Sequence, residues 1–152
     1  MTDSVIVKSA DVNDCGVICA MVHELSEFEK MGDKCTLTEG SLERIMTEPN
    51  GIKALVAYCN DEPAGMALFN TYRLATFSGR RVMYLEDLFV REKFRKMGVG
   101  GRLFEEVEKL ARELDCVKLE WKCISWNENA KGFYERHGGV SDGEWLTFDK
   151  KL

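Results

Sequence analysis

Two adjacent carboxylates inside an apolar run, followed by a basic glycine-rich turn, are the residues whose types and spacing suit chemistry. The run is Val82-Met83-Tyr84-Leu85-Glu86-Asp87-Leu88-Phe89-Val90, and the turn is Arg95-Lys96-Met97-Gly98-Val99-Gly100-Gly101-Arg102. The run reads as a strand, and an amphipathic helix pattern begins directly after the turn. A glycine turn that enters a helix leaves unpaired backbone N–H groups, and these together with the helix dipole hold a pyrophosphate. A burial-prone strand carrying acids beside such a cradle points to chemistry on a phosphate-bearing cofactor.

Spacing removes two other phosphate motifs. A P-loop needs Lys then Ser or Thr after its last glycine, and Gly101-Arg102-Leu103 supplies neither. A dinucleotide fingerprint needs a third glycine where Leu103 stands. Arg-x-x-Gly-x-Gly remains, and alone it is equally an ordinary surface loop.

The elements around these residues follow from pattern. The 152 residues fit a single domain, 1–152, with a sizeable core. Val5-Ile6-Val7 reads as a short strand; Asp11 or Asn13 caps a helix with Cys15, Ile18, Val22 and Leu25 inward that runs out near Phe28-Glu29. Thr38 caps a shorter helix ended by Pro49-Asn50-Gly51. Strands over 53–59 and 64–74 around Asn60-Asp61-Glu62-Pro63 read as a hairpin, and 76–80 turns into the acid-bearing strand. Leu103, Val107, Leu110 and Leu114 stripe a long helix, and 116–124 alternates as a strand, which makes a right-handed parallel crossover. Asn127 or Asn129 caps a last helix through Phe133 and Tyr134 to His137, stopped by Gly138-Gly139, and 145–151 closes the chain as a strand.

Composition bounds the partners. A formal charge of −5 argues against a nucleic-acid surface and mildly favours cationic small molecules. No apolar run reaches membrane-spanning length and no signal-peptide pattern is present. Six scattered cysteines (Cys15, Cys19, Cys35, Cys59, Cys116, Cys123) without Cys-x-x-Cys, and two distant histidines, make a metal site unexpected. Most of those cysteines sit in apolar runs, as packed thiols of a cytoplasmic protein do.

The Arg95–Gly100 loop resembles the pyrophosphate loop of the GNAT superfamily of acetyl-CoA-dependent N-acetyltransferases. Downstream, Asn127-Glu128-Asn129-Ala130 followed by Gly132-Phe133-Tyr134 resembles that superfamily's second signature. More narrowly, Glu24-Leu25-Ser26-Glu27-Phe28-Glu29-Lys30-Met31 and Tyr84-Leu85-Glu86-Asp87-Leu88-Phe89-Val90 resemble the spermidine/spermine (diamine) and thialysine N-acetyltransferases. Phe28, where the polyamine enzymes often carry Tyr, is closer to the thialysine branch. The resemblance covers nearly the whole chain, and implies an α/β fold with a mixed, V-splayed sheet flanked by about four helices, and a homodimer.

It also implies roles. An ammonium has no lone pair, so a nearby carboxylate must take its proton before the nitrogen attacks a thioester. Glu86 is the implied base, and Asp87 lies on the opposite pleat unless a bulge re-aims one of them. Tyr134 is the implied acid for the leaving thiolate, though four residues from Ala130 it suits a core aromatic as well. Acetyl-CoA is expected along Leu88, Phe89 and Val90, with its diphosphate on Lys96, Met97, Gly98, Val99, Gly100 and Gly101, Arg95 flanking, and Asn127, Glu128, Asn129, Ala130 and Tyr134 contributing. Backbone N–H groups would carry most of that binding. Phe28, Glu29, Glu86, Asp87, Glu120, Trp121, Lys122 and Glu144 are the implied amine contacts. Lys122 is discordant for a polycation and favours a substrate with a carboxylate, such as a lysine or ornithine analogue. Acetylation of a protein amine, or a CoA-binding regulatory module without turnover, are the alternatives.

Overall fold

A computed structural model describes residues 4–152. The chain divides into two compact units, the residues up to Lys122 and Cys123–Leu152.

The first unit is built on a sheet of five strands among the described residues, ordered β1 (Val5–Ser9), β2 (Lys53–Cys59), β3 (Glu62–Ala75), β4 (Arg80–Val90) and β5 (Lys118–Trp121). The first four pair antiparallel and β5 runs parallel to β4. Helices α1 (Cys15–Phe28) and α2 (Glu39–Thr47) pack their apolar stripes on Ala54, Val56, Met66, Leu68 and Phe89. Residues of the other parity, Leu55, Ala57 and Ala67, are buried as well, and α3 (Val99–Glu113) packs against β3 and β4. Cover on both faces is why these strands read as unbroken apolar runs.

Local chemistry sets the boundaries. Asp11 and Asp14 form a capping box on the short turn before α1, so Asp11 caps that turn. The N-cap of α1 itself is Asp14, which makes no side-chain capping bond, and neither Asp11 nor Asn13 caps the helix directly. Thr38 and Ser41 form another at α2. Asn60 and Asp61, with φ of 50° and 68°, make the two-residue left-handed turn that matches strand twist in the β2–β3 hairpin. Pro63, which has no N–H to donate, sits beside a bulge in that ladder. Arg91 grips Glu24 with Nε at 3.0 Å and a terminal nitrogen at 2.8 Å, fixing α1 to the end of β4.

Two further expectations are corrected. The strand expected over 116–124 is only Lys118–Trp121, starting after Asp115 takes a φ of 56° at the end of α3. In the second unit, α4 (Glu128–Arg136) forms as expected, but the strand expected over 145–151 is absent. Trp145, Leu146 and Phe148 are 80%, 80% and 89% exposed. Alternating side chains suit a strand, but a strand exists only against a partner's backbone, and the described sheet ends at β5.

Gly65 of β3 leaves no room for a side chain: a Cβ there would lie 2.6 Å from the Phe89 carbonyl oxygen and 3.2 Å from Leu103 Cδ1. Gly65→Ala is expected to destabilise the protein by about 1–3 kcal/mol in denaturant titration. An unchanged midpoint would contradict this packing.

Candidate active site

The site grows from one irregularity in β4. Leu85 pairs with Phe69 and Asp87 with Leu68, so Glu86 is the extra residue of a bulge. Bulges re-aim side chains, and this is the exception the alternation rule allows. Glu86 is exposed, whereas Asp87 is half-buried. Burial, then the charges of Glu86 and Glu29, push the Asp87 carboxyl from 3.8 up to about 6. Glu29, half-buried just past the end of α1, is itself raised by burial. Burial, and next the Glu86 charge, also raise the Tyr84 hydroxyl on the adjoining turn of the strand.

Pairing on the other side of β4 stops at the same point. Its parallel partner spans Val82↔Lys118 to Leu85↔Trp121 and goes no further. From Glu86 to Val90 the strand is paired by β3 alone among the described residues. Leu88, Phe89 and Val90 therefore present one open edge, which an extended ligand can join as another strand would.

The turn that follows is shaped for an anion. Lys96 and Gly98 adopt left-handed φ of 64° and 80°, the second at the N-cap of α3. No side chain caps α3 and no acid occupies its first turn, whereas side chains cap α2 and α4. The N–H groups of Val99, Gly100 and Gly101 thus lie at a helix start without a capping side chain. Met97, Gly98, Gly101, Arg102, Glu105 and Val5 line a groove of about 390 Å³ there. Arg102 donates to the Val5 carbonyl at 3.2 Å within this groove, whereas Arg95 Nε donates to the Val90 carbonyl at 3.0 Å. The Arg95 guanidinium lies 4.6 Å from the Phe28 ring and 5.7 Å from the Phe89 ring. Phe28, 41% exposed, so covers the base of the loop.

The β5 residues are more committed than their sequence suggests. Glu120 takes Arg73 on one oxygen and Lys118, at 3.2 Å, on the other. Trp121 meets Phe104 of α3 edge-on at 5.3 Å, while Lys122 is exposed. By contrast, neither Glu86 nor Asp87 forms an ion pair among the described residues.

In the second unit, Asn127 Oδ1 accepts from the Ala130 N–H at 3.0 Å, so Asn127 is the cap and Asn129 stays exposed with Glu128. Tyr134 is half-buried, its ring 5.3 Å from that of Phe133. Gly138, φ 86°, ends α4, and the Gly139 N–H reaches the Tyr134 carbonyl at 2.8 Å. Glu144 is exposed, its N–H held by Asp142.

Sequence reasoning missed Asn70, 2% exposed, whose Nδ2 donates to Glu86 Oε1 at 2.9 Å. An Asn in the middle of an apolar strand run was the available signal. It also missed Arg73 as the partner of Glu120.

Residues 19–139 match the acetyltransferase (GNAT) family, and the chain belongs to that family. It is an acetyltransferase enzyme, and the family's cosubstrate is acetyl-CoA, a thioester with a diphosphate. The open edge of β4 and the uncapped start of α3 fit that molecule. Among named relatives, a thialysine N-epsilon-acetyltransferase of Caenorhabditis elegans is 37% identical over 135 residues, 86% of this chain and 82% of that protein. The L-ornithine N5-acetyltransferase NATA1 of Arabidopsis thaliana is 37% identical over 99 residues, 64% of this chain and 43% of that protein. An integron cassette protein from V. cholerae shares the fold with a TM-score of 0.80 at 26% identity, over 98% of this chain and 93% of its own.

The raised Asp87 carboxyl has a sign. Between about pH 4 and 6 the native protein keeps a proton that the unfolded chain has lost, so stability falls as pH rises through this window and stays lower above it. The displacement corresponds to about 3 kcal/mol. Asp87→Asn is expected to raise Tm by several degrees at pH 7.5 and to leave it unchanged at pH 3.5. Parallel Tm–pH curves for the two proteins would contradict it.

Proposed function

We propose that this acetyltransferase moves the acetyl group of acetyl-CoA onto the primary amine of a small aliphatic molecule, of lysine or ornithine type or a di- or polyamine. One domain, 1–152, carries the reaction. The observation that supports this most is the pair Glu86 and Asp87, without a cation partner among the described ion pairs, at the point where the sheet opens. A cationic amine supplies the missing counter-charge, and opposite charges at contact distance attract more strongly beside a half-buried carboxylate than in bulk water. The relatives' names favour a lysine-like substrate. So does the engagement of Glu120 by Arg73 and Lys118, which leaves exposed Lys122 for a substrate carboxylate.

Acetyl-CoA supplies the acetyl group already activated as a thioester. Asp87 and Glu29 hold the ammonium, and Glu86 accepts its proton, directly or through a water. The freed lone pair bonds to the thioester carbon. Backbone N–H groups at 88–90 donate to the carbonyl oxygen as it gains charge. The carbon–sulfur bond breaks as the Tyr134 hydroxyl gives its proton to the sulfur. The nitrogen sheds its second proton to become the amide, and that proton, returned through solvent, restores the tyrosine hydroxyl, while the proton on Glu86 is released to water. Direct attack by the amine needs no acyl-enzyme and so no cysteine, and burial raises the Cys15 and Cys19 thiols.

Label transfer from acetyl-CoA to thialysine, lysine, ornithine, putrescine, spermidine, spermine and a peptide amine tests the reading. Lysine-like amines are expected to be the best acceptors, and Glu86→Gln and Tyr134→Phe are each expected to lower kcat by about 10²-fold or more. Full turnover in both variants would overturn the mechanism. Preference for the peptide would move the substrate to proteins, and no transfer with tight CoA binding would make the chain a regulatory module.

Chain pairing belongs to the same reading. Exposed Trp145, Leu146 and Phe148 are apolar surface that association covers, so a homodimer mass is expected in sedimentation. A single-chain mass at micromolar concentration would contradict it.

A further inference from the structure

We propose that Asn70 is the positioning residue for the base, holding Glu86 by one oxygen with an uncharged donor. This rests on the reading of Glu86 as base. Asn70 is the buried polar residue of the described core, and it stands directly opposite Tyr84, two positions before Glu86. The bulge takes Glu86 out of the β3–β4 ladder, so the backbone no longer dictates where its side chain points. Asn70 Nδ2 restores that constraint, donating to Oε1 at 2.9 Å and leaving Oε2 outside this contact.

The other end of the amide shows what the residue is kept for. Asn70 Oδ1 is buried and accepts no hydrogen bond among the described residues. A buried carbonyl without a donor destabilises a fold, and an apolar residue of similar size on this strand would avoid the loss. Asn is also disfavoured in strand interiors. The amide is therefore poor for packing, and its N–H on Glu86 is the contact it makes.

The donor's neutrality is the second half of the inference. Arg73 is the cation of this strand segment, yet it lies 5.0 Å over the Tyr84 ring and pairs with Glu120. An arginine on Glu86 would satisfy its charge and compete with the substrate ammonium. An amide orients the carboxylate and leaves its charge for the amine.

The test compares Asn70→Val and Asn70→Leu with the unaltered protein, and places each in a Glu86→Gln background. Asn70→Val removes donor and orphan together; it is expected to melt at or above the unaltered protein while kcat for the amine falls at least tenfold. KM for acetyl-CoA is expected to stay within twofold. Asn70→Leu keeps the size without any donor and is expected to lose kcat likewise, so it decides the matter if the valine variant does not fold. In the Glu86→Gln background neither change is expected to lower the residual rate further, since both act through one carboxylate. Either folded variant with kcat within twofold of the unaltered protein would overturn the role, as would a loss that adds fully to Glu86→Gln. Absence of transfer by the unaltered protein would instead overturn the acetyl-transfer reading, and the role of Asn70 with it.

Discussion

Strand β4 is held on both sides only as far as Leu85, and the working surface of the first unit depends on that limit. Up to Leu85 it is a buried central strand between β3 and β5. One residue later it bulges, loses its parallel neighbour, and carries Glu86 and Asp87 at the opening. Five residues of one-edged strand then lead into a turn that delivers the uncapped end of α3. Acid pair, open backbone edge and anion cradle are thus consecutive on one stretch of chain. Their spacing is fixed by covalent geometry and by the β3 ladder, with little left to side-chain packing.

Charge is distributed so that this opening stays acidic. Arg91 is taken by Glu24, Arg73 and Lys118 by Glu120, and Arg95 by the Val90 carbonyl and two aromatic rings. Each of these four cations has a partner other than Glu86 or Asp87. The acids are left with each other, which is the physical cause of the raised Asp87 carboxyl after burial itself. Arg95 has a second consequence: its contact with Phe28 joins the base of the glycine loop to the end of α1.

Much of this was legible in the sequence because local signals agreed with one another. Capping residues Thr38 and Asn127, the Asn60-Asp61 turn, the helix stripe after the glycine loop and the Gly138 stop each act within a few residues of themselves, and each forms. What was not legible depends on partners distant in sequence. Whether Glu86 or Asp87 would be re-aimed required the register of β4 on β3, and the sequence reading could name the bulge only as an exception. The 145–151 run alternates well yet forms no strand, because alternation specifies a face and not a neighbour. Glu120 looked available until Arg73, 47 positions away, was found on it. Asn70 lay unremarked in a run whose apolar neighbours suggested only core.

Amide hydrogen exchange with and without CoA tests the central claim most directly, because the claim is that backbone groups of β4 and α3 form the cradle. Protection is expected to rise at Leu88, Phe89 and Val90 and at Val99, Gly100 and Gly101, with β1 and β2 unchanged. Bound CoA that leaves those six amides at their free-protein exchange rates would contradict it.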